Sequence, residues 1–222
     1  MAHQIQRTYT RDYHKAHLTE SPVRGVVWRV ICQFLAPYIP PDAHVLEIGA
    51  GYCHWINSVT AARKTAIDLW ERMPEYAAPD VETIQHDLAH GLACLNDRTF
   101  DTVLASNVLE HFEPDRALKL TQEIYARLRP GGRLIVIQPN FYTAYRRYFD
   151  DYTHRSIFTH VSLAAHLRAS GFEIERVMPR FLPYSMQGMR FRVPAWFIRL
   201  YLKSPVKPFA GQMLVIAQKN PA

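Results

Sequence analysis

Short apolar runs alternate with helical stretches along most of the chain. The runs His44 to Ile48, Thr65 to Leu69, Val81 to Gln85, Phe100 to Ser106 and Arg133 to Gln138 read as strands. Alternation of this kind predicts βαβ units and a parallel sheet. Ahead of them, Ser21 as N-cap and Pro22 in the first turn open a helix through VRGVVWRVICQFL, which ends by the Pro40-Pro41 break and should cover the sheet with its apolar stripe. The clearest helix is Pro114 to Arg129, with acidic residues at its start, basic ones at its end and Gly131-Gly132 behind it. A further helix from about Thr159 to Ser170 is stopped by Gly171 and followed by the strand FEIERVM. QMLVIAQ forms a last strand.

Between those final two strands, Arg180 to Phe209 is rich in Arg, Pro and aromatics and too long for a hairpin turn. It holds one amphipathic candidate helix, Ala195 to Lys203. No repeat or linker divides the chain. The expected organisation is one domain over residues 1–222, with an N-terminal helical cap at 1–42, a core at 43–178, a basic aromatic insertion at 179–210 and the last strand at 211–218.

At 222 residues such a domain buries enough apolar surface to fold without covalent staples. Its three cysteines, Cys32, Cys53 and Cys94, form neither a paired framework nor a CxxC pattern, which points to a reducing, cytoplasmic setting. The N-terminal residues are polar and aromatic where an export signal needs an apolar stretch. Trp196 to Leu202 is interrupted by Arg199 and is too short to span a bilayer.

The net charge of +6 is unevenly distributed. Residues 176–222 carry eight basic side chains and no acidic one, whereas the rest of the chain sums to −2. An anionic partner or surface is thereby suggested.

The first strand runs into LEIGAGYCHWI, which places Glu47, Gly49 and Gly51 where strand should turn into helix. Glycine tolerates unusual backbone angles and lets a ligand approach the main chain. The second strand, KTAIDLW, carries Asp68 at its tip, 21 residues after Glu47. A carboxylate there is placed to accept hydrogen bonds from both hydroxyls of a ribose lying over the glycine turn. Asp87, after the third strand, is either a third ligand-site acid or a helix N-cap. The GxG is not continued as the GxxG of a dinucleotide fingerprint, so a nicotinamide enzyme is the weaker reading.

With these residues the chain resembles the class I S-adenosyl-L-methionine (SAM)-dependent methyltransferase superfamily, in particular small bacterial enzymes of the methyltransferase type 11 kind. The resemblance runs from about Ala43 to Arg176 and includes the LRPGGRLIV passage. It implies a Rossmann-like α/β three-layer sandwich whose seven-stranded, mostly parallel sheet has an antiparallel last strand, here QMLVIAQ. It also implies an enzyme with SAM as cofactor. By resemblance, Glu47, Gly49 and Gly51 line the methionine and ribose, Asp68 holds the ribose, Leu69 packs on the adenine and Asp87 with Leu88 borders it. Cys53 stands where the family often has a third glycine.

The fourth strand ends as LASNVLEHF, which brings Ser106, Asn107, Glu110 and His111 near the expected methyl position, with Asn107 also at the cofactor. Methyl transfer is an in-line displacement from a sulfonium, so alignment and exclusion of water dominate the chemistry. A base is needed only for a protonated acceptor. His111 is the first candidate, because imidazole titrates near neutrality and related enzymes often have a Glu-His pair here; the competing reading is a helix-start histidine held by Glu113 or backbone. Tyr152 and His154, with Tyr142 and His160, follow the fifth strand as further candidates for the acceptor pocket.

The Asn/Asp-Pro-Pro-aromatic stretch of nucleobase amino-methyltransferases is missing from SNVLEH, so specific action on nucleic acid is not expected. His86, Asp87 and His90 offer no fourth ligand, and no metal is expected there. The acceptor is expected to be a small molecule, sugar or lipid-linked anionic compound. The basic segment could contact the anionic inner face of a membrane. Catalytically inactive SAM-binding proteins with a regulatory or partner-binding role remain the alternative class.

Overall fold

The computed structural model describes residues 22–184 and 193–221. The five early apolar runs form β1 (His44–Ile48), β2 (Arg63–Asp68), β3 (Val81–Gln85), β4 (Phe100–Ser106) and β5 (Leu128–Pro139). Two longer strands follow, β6 (Glu173–Pro183) and β7 (Ala210–Gln218). The sheet order is β3-β2-β1-β4-β5-β7-β6, with β1 to β5 parallel and β7 antiparallel to both its neighbours.

Side chains alternate across this sheet, and both faces are covered. Val45, Ala66, Leu104, Ile135 and Ile216 lie on one face, and Leu46, Ile67, Val103, Leu134 and Val215 on the other. The helices are α1 (Pro22–Leu35), α2 (Pro114–Arg127), α3 (Phe141–Ala144), α4 (His160–Ala169) and α5 (Ala195–Lys203). On the first face α1 buries Val27, Val30, Ile31 and Leu35, and α5 adds Ile198 and Leu202. On the second, α2 contributes Ala117, Leu120 and Ile124, and α4 contributes Leu163 and Leu167. Each fully buried aliphatic side chain stabilises the fold by roughly 1.5–3 kcal/mol, enough to make the two apolar layers the main determinant of the architecture.

The connections differ from the expected helices. No continuous helix follows β1: positive φ angles at Gly49, Gly51 and Cys53 interrupt right-handed winding, and the chain passes to β2 as a series of turns. Single bonds such as Asn57 N–H to the Cys53 carbonyl (3.0 Å) are all that remains of a helix there. Only short 3-10 turns, Met73–Tyr76, Leu88–His90 and Ala93–Leu95, occupy the next two connections. The long helix stops at Arg127 rather than Arg129, because Arg129 precedes Pro130 and Leu128 already pairs with Phe100 in the sheet. β6 runs on to Pro183, so Arg180 to Pro183 extend a strand and do not begin a loop. Thr159 caps α4 through a reciprocal bond with Ser162, and Gly171, with φ +98°, ends the helix as expected. Ser21, Arg190 and Arg192 lie outside the described residues.

Candidate functional site

The parallel strands end together along one edge of the sheet, and the chemistry collects there. At the tip of β1, Gly49 (φ +67°) and Gly51 (φ +50°) adopt left-handed backbone that glycine alone accepts without strain. A Cβ on Gly49 would meet Val108 Cγ2 at 2.6 Å, whereas at Gly51 it would meet no atom within 4 Å. The first glycine therefore serves packing, and the second leaves open space beside the main chain. Asp68 ties this turn to β2: Oδ2 accepts the Gly51 N–H (2.7 Å), and Oδ1 accepts the Trp70 N–H (2.8 Å).

Glu47 has a structural duty as well as its expected place. It is 4% exposed, and Oε2 accepts the Ile56 N–H at 3.0 Å, pinning the turns that follow the glycines. Burial holds its carboxyl well above the usual range; the Ile56 N–H opposes that shift and the nearby Asp68 charge adds to it. Cys53 is a wall: its buried thiol faces the Gly51 and Met73 carbonyls, and burial pushes its pKa up to about 12.

Leu69 lies just past β2 and is exposed, whereas Leu88 packs in the second-face core. Asp87 caps the Leu88–His90 turn through the Ala89 N–H (2.8 Å), which is the N-cap reading of that residue. Three aromatic rings beside the turn were not foreseen as a group. Trp70 stacks on Tyr76 with centroids 5.2 Å apart, and Tyr52 meets both edge-on. Their signal was present in the sequence, since Tyr52 and Trp70 directly follow the two motifs.

The end of β4 supplies the second half of the site. Asn107 has φ +53°, bonds its N–H to the Ile137 carbonyl (2.8 Å), and accepts from Gln212 of β7 through Oδ1 (3.2 Å). His111 pairs with the segment that follows β5. Its Nδ1 lies 2.8 Å from the Thr153 hydroxyl, and that hydroxyl donates to Asp151 Oδ1 (2.6 Å). Because the hydroxyl proton is committed to the carboxylate, His111 Nδ1 is the donor to Thr153 and Nε2 carries the ring's lone pair.

His154 packs beside it, with ring centroids 5.1 Å apart, and its Nδ1 donates to the Tyr148 carbonyl (2.6 Å). Glu110 lies between the β4 end and the segment after β5, where Arg155 and Ser156 both donate backbone N–H to its carbonyl. Its carboxyl is fully buried and neither oxygen has a hydrogen-bond partner. Burial pushes its pKa up to about 8, and the nearby Asp151 charge adds to that shift.

The structure thus brings His111 and His154 together and leaves Tyr142 and Tyr152 exposed on the surface. His160 is half-buried, its Nδ1 facing the Asn140 amide at 3.2 Å. Glu110, Thr153 and Asp151 complete a polar cluster that the sequence did not assemble, because 42 positions separate His111 from Thr153.

A parallel sheet with one reversed strand, a glycine turn clamped by an acid on β2, and polar groups at the end of β4 together define a Rossmann-like architecture with its candidate site at the strand ends. The chain belongs to the methyltransferase domain family, whose model matches residues 23–177. Its fold is shared with solved SAM-dependent methyltransferases. A SAM-dependent methyltransferase from Archaeoglobus fulgidus superposes with a TM-score of 0.68 at 19% identity, covering 95% of this chain and 99% of the other. A SAM-dependent methyltransferase from Thermotoga maritima gives 0.67 at 22% identity, covering 98% and 99%. The N-methyltransferase NodS from Bradyrhizobium japonicum, solved with S-adenosyl-L-homocysteine, gives 0.62 at 15% identity, covering 93% and 92%. No curated protein sequence matches the chain.

Proposed function

We propose that the protein is a SAM-dependent methyltransferase acting on a small-molecule, sugar or lipid-linked acceptor. The observation that carries this reading is the Asp68 carboxylate at the tip of β2, fastened to the Gly51 N–H at 2.7 Å beside open space. SAM, when bound, supplies an electrophilic methyl group on a sulfonium. The residues fit it: Gly51 leaves the main chain approachable, and a carboxylate oxygen accepts more than one hydrogen bond, so Asp68 can hold the turn and also take ribose hydroxyls. Leu69, Asp87 and Leu88 would border the adenine, and Asn107 the reacting end.

His111 is the proposed base for an acceptor that carries a proton. Thr153 and Asp151 orient its ring so that Nε2 accepts the proton while the positive charge that develops is stabilised through the hydroxyl by the carboxylate. His154 and Tyr152 are proposed as pocket residues around the acceptor.

Calorimetric binding of SAM and S-adenosyl-L-homocysteine to the wild type and to Asp68→Ala tests the cofactor site. Micromolar binding, about −8 kcal/mol, is expected for the wild type and a loss of at least about tenfold for the variant. A folded wild type that binds neither compound would sink the proposal. Binding with no turnover on any acceptor would favour the regulatory alternative.

Peripheral contact with an anionic membrane is proposed from α5. Its Ile198 and Leu202 are buried, while Trp196, Phe197 and Leu200 stand 64%, 49% and 60% exposed beside Arg199 and Lys203. Aromatic and aliphatic side chains next to basic ones are what an interfacial helix presents to acidic headgroups. Among the described residues, no helix is long and apolar enough to cross a membrane.

A further inference from the structure

Glu110, His111 and His154 each offer a ligand atom, and the three atoms lie within 4.8 Å of one another. Among the described residues no other group of three His, Cys, Asp or Glu side chains does this. His86, Asp87 and His90 are engaged differently: His86 Nε2 faces the Gly91 carbonyl at 3.0 Å, and Asp87 caps the Ala89 N–H.

Two independent features give the cluster the character of a coordination site. The first is Glu110, whose two buried carboxyl oxygens lack any hydrogen-bond partner. Burying such a group without compensation is unfavourable, and a cation beside it offsets that penalty. The second is the tautomer of both rings. His111 Nδ1 is committed to Thr153 and His154 Nδ1 to the Tyr148 carbonyl, so each ring carries its lone pair on Nε2. Metal-bound histidines are characteristically oriented in this way, one nitrogen ligating and the other donating to a carbonyl or to a group backed by a carboxylate.

We propose that Glu110, His111 and His154 form a binding site for one divalent first-row transition-metal ion, with Asp151 and Thr153 supporting it from behind. Two imidazoles and one carboxylate suit Zn²⁺, Mn²⁺, Fe²⁺ or Co²⁺ and leave coordination positions open. Ligand atoms around such an ion sit ~2.1 Å from it, so they lie about 3–4 Å apart, and modest side-chain rotation closes the present spacing. Asp151 Oδ2, 4.0 Å from His154 Nε2, adds negative charge to the same pocket.

The site lies at the end of β4, where the acceptor is placed in the reading above. An acceptor hydroxyl on an open position would be oriented and made more acidic by the ion, so that its proton would pass to solvent water while His111 serves as a ligand instead of as the base. That last step alone rests on the methyltransferase reading; metal binding does not.

The test uses the tag-free, full-length chain after chelator treatment, titrated with Zn²⁺ by calorimetry and with Co²⁺ by visible absorption. One ion per chain is expected, with ligand-field bands for Co²⁺. His111→Ala, His154→Ala and Glu110→Gln should each weaken binding by at least about tenfold, and Thr153→Val by about 10–100-fold, without abolishing cooperative thermal unfolding. A control, His86→Ala with His90→Ala, should leave the stoichiometry at one. If the Glu110 and His154 variants do not fold, His111→Ala, at the half-buried ring, and Thr153→Val decide the matter. Failure of the folded wild type to bind either ion, or binding that these variants leave unchanged, overturns the site. S-adenosyl-L-homocysteine binding, measured on the same samples, reports separately on the cofactor half.

Discussion

A side chain on Gly49 would collide with Val108: the Cβ it lacks would lie 2.6 Å from Cγ2 of that residue. Two glycines in one motif are therefore held for different reasons. Gly49→Ala should destabilise the protein by about 1–3 kcal/mol, because overpacking adds to the cost of φ +67° for a side-chain-bearing residue. Gly51→Ala has no such clash and should cost only about 1 kcal/mol from its φ of +50°, yet it should reduce S-adenosyl-L-homocysteine affinity by at least about tenfold. Thermal unfolding and calorimetry on both variants separate the two effects. Equal losses of stability with unchanged affinity would contradict the assignment of the open side of Gly51 to a ligand.

Acid should destabilise the fold through His54. Its Nε2 is buried without a partner, and burial, aided by the positive charge of Arg24, lowers its pKa from the ordinary 6.5 to about 4. Between those values the unfolded chain takes up the proton and the folded chain does not. Stability contributed by neutral His54 is thus complete above about pH 6.5 and is lost as the pH falls towards 4. His44 and His166 are shifted in the same direction by burial, whereas Glu47 titrates with the opposite sign. The melting temperature of wild type minus that of His54→Gln, followed from about pH 7.5 to about pH 5, isolates the residue. The difference should shrink on acidification; a constant difference would show that His54 is not the titrating group.

Membrane contact through α5 makes a third prediction. Wild-type protein should co-float with vesicles containing acidic phospholipid and much less with neutral ones. Trp196→Ser with Phe197→Ser should abolish flotation at little cost in stability, since both side chains are largely exposed. Flotation that is independent of lipid charge and of these two side chains rules the surface out.

The strands, the sheet class and the glycine–acid pair were legible in the chain because they depend on local regularities. Short apolar runs bounded by turn residues mark β1 to β5, and a carboxylate 21 residues after Glu47 follows from the length of one β-turn-β passage. That turns replace the helix expected after Gly51 was not legible, since only the folded backbone sets positive φ at Cys53 and the bond from Ile56 to Glu47. The clamp of Asp68 on the Gly51 N–H appears only when β1 and β2 lie side by side. The pairing of His111 with Thr153, and of both with His154 over the unpartnered Glu110, likewise needed the tertiary fold. Hydrophobic periodicity acts over a few residues and is written in sequence, whereas hydrogen bonds and coordination act over a few ångströms. Only packing decides which residues from distant parts of the chain come within that reach.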